Sequence, residues 1–335
     1  MSESVKIVLK RQAVRPAQTT QYVLMIEPVA FGFNAETAES NYFQHQTTGA
    51  QQRALAEFQR LKNLLENHGV NVISYKDKLL PRTPDAIFPS HAVSFHDSAK
   101  AYVYPMFARN RRGEIDHRML HDVKKKGFVL KEIYDMCAVA DSQQYLEGTG
   151  SMVLDRVNAI AYACRSNRTN VTWFKKTCKR LGYQPVLFTA KQTMTWKRLP
   201  IYHTDMMMTV GETFVVICLD AIDSEKEKNY LLELFTRTGK EFIAISEKQM
   251  QQFAGNLLPV RTGRDAADTA LVMSSNAYNS LSAEQIERLS SHSPILHCDI
   301  ATIEANGGAS VGAMCAEIFL PRRQRTFTAS IVKSE

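Results

Sequence analysis

The chain has 335 residues, 44% of them hydrophobic, with a net charge of +7 and a pI near 9.0. That is enough apolar material for one large core, and no run approaches the roughly 18 apolar residues of a membrane span. The basic runs 109–112, 124–126 and 322–325 are short and come without a helix-turn-helix or RNA-binding sheet signature, which argues against a nucleic-acid partner.

In chain order, residues 1–20 form a polar, basic lead-in with no secretory core, and 22–30 is an apolar run of strand type. Residues 31–46 are polar and aromatic without periodicity and suggest a loop or lid. A helix is predicted over 50–65 from Leu55, Phe58, Leu61, Leu64 and Leu65 at helical spacing, then a break at Gly69 and a strand over 71–75. The same order of helix, breaker and strand returns at 115–125, Gly127 and 128–134, and at 170–181, Gly182 and 185–189. It returns twice more, at 224–236, Gly239 and 241–246, and at 283–290, His292-Ser293 and 295–300. Asn170 or Thr169 caps the third helix and Ser282 opens a capping box on the fifth. Between one unit's strand and the next helix lie pairs of apolar runs split by a turn: 92–95 with 101–106, 152–154 with 159–164, and 206–210 with 213–219. The unit therefore reads strand, strand, helix, strand, with a period of about 53–58 residues. Plain doubly wound sheets and eight-fold barrels alternate one strand with one helix, so the extra hairpin disfavours both. Five such units closing on themselves make a five-bladed α/β propeller, a single domain over 21–322 followed by a tail over 323–335.

The repeat also predicts where chemistry gathers. Asp85, Glu147, His203 and Cys315 follow the breakers of four units by about 16 to 23 residues, and equivalent positions around a pseudo-symmetry axis face that axis. Cys315 follows the glycine-rich turn Asn306-Gly307-Gly308; as a nucleophile it needs a nearby cation, because a free thiol titrates near ~8.5. His203 and Asp205 share one side at strand spacing, so the carboxylate can tune the imidazole or hold a cationic ligand. His91 and His96 add imidazoles, but no zinc-ligand spacing is present, so neither metal nor organic cofactor is expected. The six cysteines contain no Cys-x-x-Cys pair, which suggests free thiols in a reducing cytoplasm.

Four segments occur in the order seen in one family of enzymes: Pro84-Asp85-Ala86-Ile87-Phe88-Pro89, Leu146-Glu147-Gly148-Thr149-Gly150-Ser151, Tyr202-His203-Thr204-Asp205, and Ala309-Ser310-Val311 leading to Cys315. Together they resemble the guanidino-group-modifying enzymes, the pentein superfamily, with the citrulline-utilisation hydrolases nearest. The resemblance spans about residues 23–322 and implies a five-bladed α/β propeller with an axial site. It implies Cys315 as nucleophile, His203 as general acid–base, Asp85 on the planar nitrogen head and Glu147 beside His203. It further implies Asp205 as a second carboxylate on the head, Arg168 on the substrate α-carboxylate, and a role for Arg112 in the stretch Arg111-Arg112-Gly113-Glu114. The expected reaction is hydrolysis of a non-peptide carbon–nitrogen bond in arginine, citrulline or a close derivative. The alternatives are an amidinotransferase and a non-catalytic amino-acid-binding propeller; homo-oligomerisation stays open. Thr149-Gly150 replaces the Gly-Asp usual in arginine deiminases. Asp205 stands where the citrulline group carries an amide, and two carboxylates suit a guanidinium better than a neutral urea.

Overall fold

The computed structural model describes residues 17–137, 144–263, 265 and 267–323, and the rest of the lead-in and tail lies outside them. Five three-stranded sheets share one construction, in which the middle strand runs antiparallel to one neighbour and parallel to the other. Four of them are Val93–His96, Lys100–Val103 and Glu132–Asp135; Val153–Asp155, Ile160–Cys164 and Gln184–Phe188; Met208–Val210, Phe214–Ile217 and Glu241–Ala244; and Leu258–Arg261, Thr269–Ser274 and Ile295–Cys298. In the fifth, Tyr22–Glu27 takes Asn71–Lys76 as its parallel partner and Ala316–Glu317, from the far end of the chain, as its antiparallel one. The first and last strands among the described residues are thus tied in one sheet, a pairing that no local pattern announces. The fold is α/β, and among the described residues no sheet closes on itself.

Each parallel pair is joined by a helix, as parallel strands require: Ala50–Asn67, His117–Lys125, Val171–Leu181, Glu225–Arg237 and Ala283–His292. Their starts are chemical. Asp116, Asn170 and Ser224 each accept a backbone N–H of the first turn, and Ser282 with Gln285 completes the capping box. In the first helix Ala54, Phe58, Leu61 and Leu65 are buried, whereas Leu55 is 40% exposed, so the core-facing stripe includes alanine where the pattern suggested leucine. The strand expected over 128–134 begins only at Glu132, because Phe128 instead bridges to Arg322 beside the chain's end. A hairpin of Lys191–Met194 and Lys197–Pro200 projects from the third unit and was not expected from the sequence.

Burial grades across each sheet. The middle strands Ile160–Cys164 and Phe214–Ile217 are buried throughout, while the third strands Asn71–Lys76 and Glu241–Ala244 are largely exposed. Chemistry therefore gathers beside the first strands, where the preceding loops carry Asp85, Glu147 and His203. The end of the lead-in is packed: the buried Gln18 donates to the carbonyls of Leu154 and Val210 and accepts from Arg156 N–H. All six cysteines are free, and no helix among the described residues is long and apolar enough to cross a membrane.

One buried histidine makes this core sensitive to acid. His96 Nε2 lies 2.8 Å from Ser94 Oγ, and burial, with the charge of Arg156, holds its pKa well below the ordinary value. The unfolded chain takes up a proton below about pH 6.5 that the folded chain refuses, so stability drains as pH falls, by about 1.4 kcal/mol per unit for this group. Urea midpoints are expected to fall between about pH 6.5 and pH 5, less steeply in His96→Gln; equal slopes would show that His96 is protonated in the folded state.

Candidate active site

Glu147 is the hub. It precedes the short helix Gly148–Ser151 and is completely buried. Its Oε1 accepts from Phe107 N–H at 2.8 Å, and its Oε2 lies 2.7 Å from His203 Nε2, 3.4 Å from Arg168 Nη1 and 3.8 Å from Arg111 Nη1. Burial alone raises a carboxylate's pKa, but Arg168, His203 and Arg111 outweigh it and hold Glu147 well below the usual range. An ionised Glu147 fixes the His203 proton on Nε2 and leaves Nδ1 as an acceptor. Burial, aided by His91, pushes the His203 pKa down to about 4 against the pull of Glu147, so the imidazole is neutral near pH 7.

The glycines of the Glu147 segment are dictated by close approach. Gly148 has φ +47°, and a Cβ there would meet the carbonyl oxygen of His91 at 2.7 Å. A Cβ on Gly150 would lie 2.7 Å from His91 Cδ2 and 2.8 Å from His203 Nδ1. The motif is thus pressed onto the Asp85–His91 turn on one side and onto His203 on the other. Thr204 fixes the histidine loop by donating to Ser151 O at 2.7 Å and accepting from Cys164 N–H at 2.8 Å.

Asp85 is buried, and its Oδ2 accepts from Asn34 Nδ2 at 2.8 Å and Thr37 Oγ1 at 3.1 Å. Burial raises its pKa, only partly offset by Arg111. Its Oδ1 has no hydrogen-bond partner in the protein, and the same holds for His203 Nδ1 and Asp205 Oδ1. Asn34 and Thr37 belong to the segment expected to be a loop or lid, which carries the short helix Ala35–Ala38. Asn41 and Gln44 of the same segment donate to the carbonyls of Gly307 and Asn306, so it lies over the site and touches the turn before the cysteine.

Cys315 is buried at the end of the short helix Val311–Met314 and shares with Asp205, Thr149 and Gly312 a cavity of about 70 Å³. Burial, with Glu317 nearby, pushes its thiol pKa up, so no group of the protein makes it a thiolate in advance. Its loop is held by Asn256, whose Oδ1 accepts from the N–H groups of Ser310 (3.1 Å) and Ala313 (3.2 Å) while Nδ2 donates to Asp205 O (3.2 Å). One amide therefore spaces the cysteine loop from the histidine–aspartate loop.

The structure departs from the sequence reading at the arginines. Arg112 does not join the cluster: its guanidinium holds the carbonyls of Met106 and Phe107 and the Tyr145 hydroxyl. The buried arginine is Arg111, paired with both oxygens of Glu114 at 2.7 and 2.9 Å and lying 3.9 Å from Asp85. Two adjacent arginines on a turn point opposite ways, and the motif alone does not choose between them. Arg168 is buried as a site residue should be, but it engages Ser40 Oγ, Thr37 O and Glu147, not an open face. His91 was noted in the sequence only as a histidine without zinc spacing. It packs 4.4 Å from His203, ring to ring, and lies 3.4 Å from Asp205 Oδ2. Potential ligand atoms of His91, His203 and Asp205 lie within 4.8 Å of one another. Arg111 Nη1, however, faces His91 Nδ1 at 3.3 Å and so places the His91 proton on the inward nitrogen. That leaves one imidazole lone pair and a carboxylate, fewer than a zinc site uses.

A family model described as eukaryotic N,N-dimethylarginine dimethylhydrolase matches residues 27–320. The chain belongs to that family. Dimethylarginine dimethylhydrolases fall within the pentein superfamily named from the motifs above, although the citrulline-utilisation group stood nearest in that reading. Solved structures agree on the fold. The N-terminal domain of ArgZ, a cyanobacterial arginine dihydrolase, bound to product, matches with a TM-score of 0.68 at 17% identity, over 90% of this chain and 99% of that one. The chain spans only 41% of the full-length ArgZ chain, at a TM-score of 0.67. The Pseudomonas aeruginosa dimethylarginine dimethylhydrolase complexed with citrulline matches with a TM-score of 0.62 at 14% identity, over 90% of this chain and 100% of that one. A search of curated protein sequences found no match.

The Asn256 contacts make a direct prediction for this dimethylarginine dimethylhydrolase family member. Asn256→Leu strands two buried N–H groups, which costs about 1–3 kcal/mol each, and frees the cysteine loop from the Asp205 loop. Turnover is expected to fall more than KM rises, with Asn256→Asp, which keeps the acceptor oxygen, nearer the parent. Unchanged kcat in Asn256→Leu, alongside a lowered urea midpoint, would limit Asn256 to a structural role.

Proposed function

We propose that the chain is a cysteine-dependent hydrolase of the guanidino group of arginine or an N-substituted arginine, carried on five sheets set as the blades of an α/β propeller. The observation that carries this reading is a charge imbalance. Four carboxylates, Glu114, Glu147, Asp85 and Asp205, face only two arginines: Arg111 pairs closely with Glu114 and reaches Asp85 at 3.9 Å, Arg168 lies on Glu147, and Asp85 Oδ1 and Asp205 Oδ1 lack a protein partner. A guanidinium supplies one positive charge and planar N–H donors to both carboxylates.

The steps follow from the groups present. A bound guanidinium beside Cys315 favours the thiolate that burial opposes. The thiol proton passes to His203 Nδ1, the sulfur adds to the central carbon, and the tetrahedral adduct expels the amine, which takes that proton from Nδ1. Water then loses a proton to that nitrogen and attacks the thiouronium carbon. Collapse returns the electron pair to sulfur and releases a ureido product. Net, one guanidino group and one water give one ureido group and one amine. Much of the rate comes from holding the head in line with the thiol, the work assigned to Asp85 and Asp205. The family's name supports a methylated arginine as the substrate.

The test is a panel of arginine, N-methylated arginines, citrulline and an added acceptor amine, with released amine, ammonia and ureido product measured. A guanidino substrate is expected to give ureido product, and Cys315→Ala to give none while retaining the fold. A neutral ureido head leaves a buried carboxylate unpaired, which costs several kcal/mol, on the order of a thousandfold in rate. Asp205→Asn should narrow that gap. Citrulline turned over as fast as arginine derivatives would overturn the cation preference, and an amidino group passed to the added amine would make the protein an amidinotransferase.

A further inference from the structure

His91 is buried at 2% exposure and lies outside the roles given so far. Its surroundings repeat those of His203. In each case a charged group fixes the proton on one ring nitrogen, Glu147 at 2.7 Å from His203 Nε2 and Arg111 Nη1 at 3.3 Å from His91 Nδ1. The outcomes are opposite. His203 presents a lone pair to the site; His91, accepting from Arg111, presents Nε2–H. That N–H faces Asp205 Oδ2 at 3.4 Å. The pair is within ion-pair reach but not aligned as a hydrogen bond, and Asp205 is the less buried partner. Catalytic hydrogen bonds commonly tighten only on ligand binding.

We propose that His91 is a positioning and specificity-determining residue, which acts through Asp205 and rests on the guanidino-hydrolase reading above. Glu114 orients Arg111, Arg111 fixes the His91 tautomer, and His91 Nε2–H holds Asp205 Oδ2 so that Oδ1 faces the substrate head. An Asp205 carboxylate oriented in this way selects a guanidinium over a ureido head. The ring also has to fit: Gly150 leaves room for both imidazoles, since a Cβ there would press on each.

The experiment measures binding of arginine and citrulline to the Cys315→Ala protein by calorimetry, so that no turnover is needed. Three further backgrounds are compared: His91→Gln, whose amide can accept from Arg111 and donate to Asp205; His91→Phe, which can do neither; and Asp205→Asn. The expected result is a preference for arginine that survives His91→Gln and falls about tenfold or more in His91→Phe. In the Asp205→Asn background, His91→Phe is expected to add no further loss. A preference unchanged in His91→Phe would overturn the inference, and so would an equal loss with Asp205 already removed, since either shows that His91 does not act through that carboxylate. Failure of the Cys315→Ala protein to bind either ligand would instead count against the guanidino reading itself. Should His91→Phe not fold, His91→Leu replaces it with the same expectations.

Discussion

A carboxylate with no exposure to water sits at the centre of this protein, and the site depends on how its charge is compensated. Glu147 takes a backbone N–H from Phe107, an imidazole N–H from His203, and the charges of Arg168 and Arg111. Removing one partner of such a buried cluster costs about 3–5 kcal/mol because it strands the rest. The partners come from three parts of the chain, Phe107 with Arg111, Arg168, and His203, so the cluster fixes the relative positions of the loops. Glu147 sets the His203 tautomer, and through Arg168 it also reaches Ser40 and Thr37 in the segment that covers the site.

The same accounting explains why the site is poised but not preactivated. The protein's own cations are committed to Glu114 and Glu147, Cys315 is buried with a raised pKa, and Asp85 is held buried with one oxygen unpartnered. A cationic planar head is the one ingredient that would relieve all three. On the proposed mechanism, substrate recognition and nucleophile activation become a single event. Only the part of these interactions that is stronger in the transition state than in the bound ground state lowers the barrier.

Much of this was legible in the sequence, for physical reasons. The helices announce themselves through caps and periodicity: Ser282 with Gln285, Asn170, and the glycine at 182 with φ +76° all stand where the pattern put them. Asp85, Glu147, His203 and Cys315 were singled out because the repeat places them at like positions. What escaped were choices made by tertiary packing. Nothing local distinguishes Arg111 from Arg112, yet one is buried against Glu114 and the other holds the carbonyls of Met106 and Phe107. His91 and Asn256 matter through partners about a hundred or fifty residues away, such as Asp205 and Ala313. The closure of the first sheet by Ala316–Glu317 is likewise a long-range pairing that no window of sequence contains.

The central claim is that the bound guanidino group passes onto Cys315. It is tested most directly by quenching the protein in acid during turnover of an arginine derivative and measuring the mass of the peptide that contains Cys315. The account predicts an amidino-type adduct on that cysteine, present during the steady state, absent when the substrate is exhausted, and accumulating when His203 is replaced by a residue that cannot activate water. Turnover without any adduct on Cys315, or an adduct on one of the other five cysteines that follows the kinetics, would contradict it.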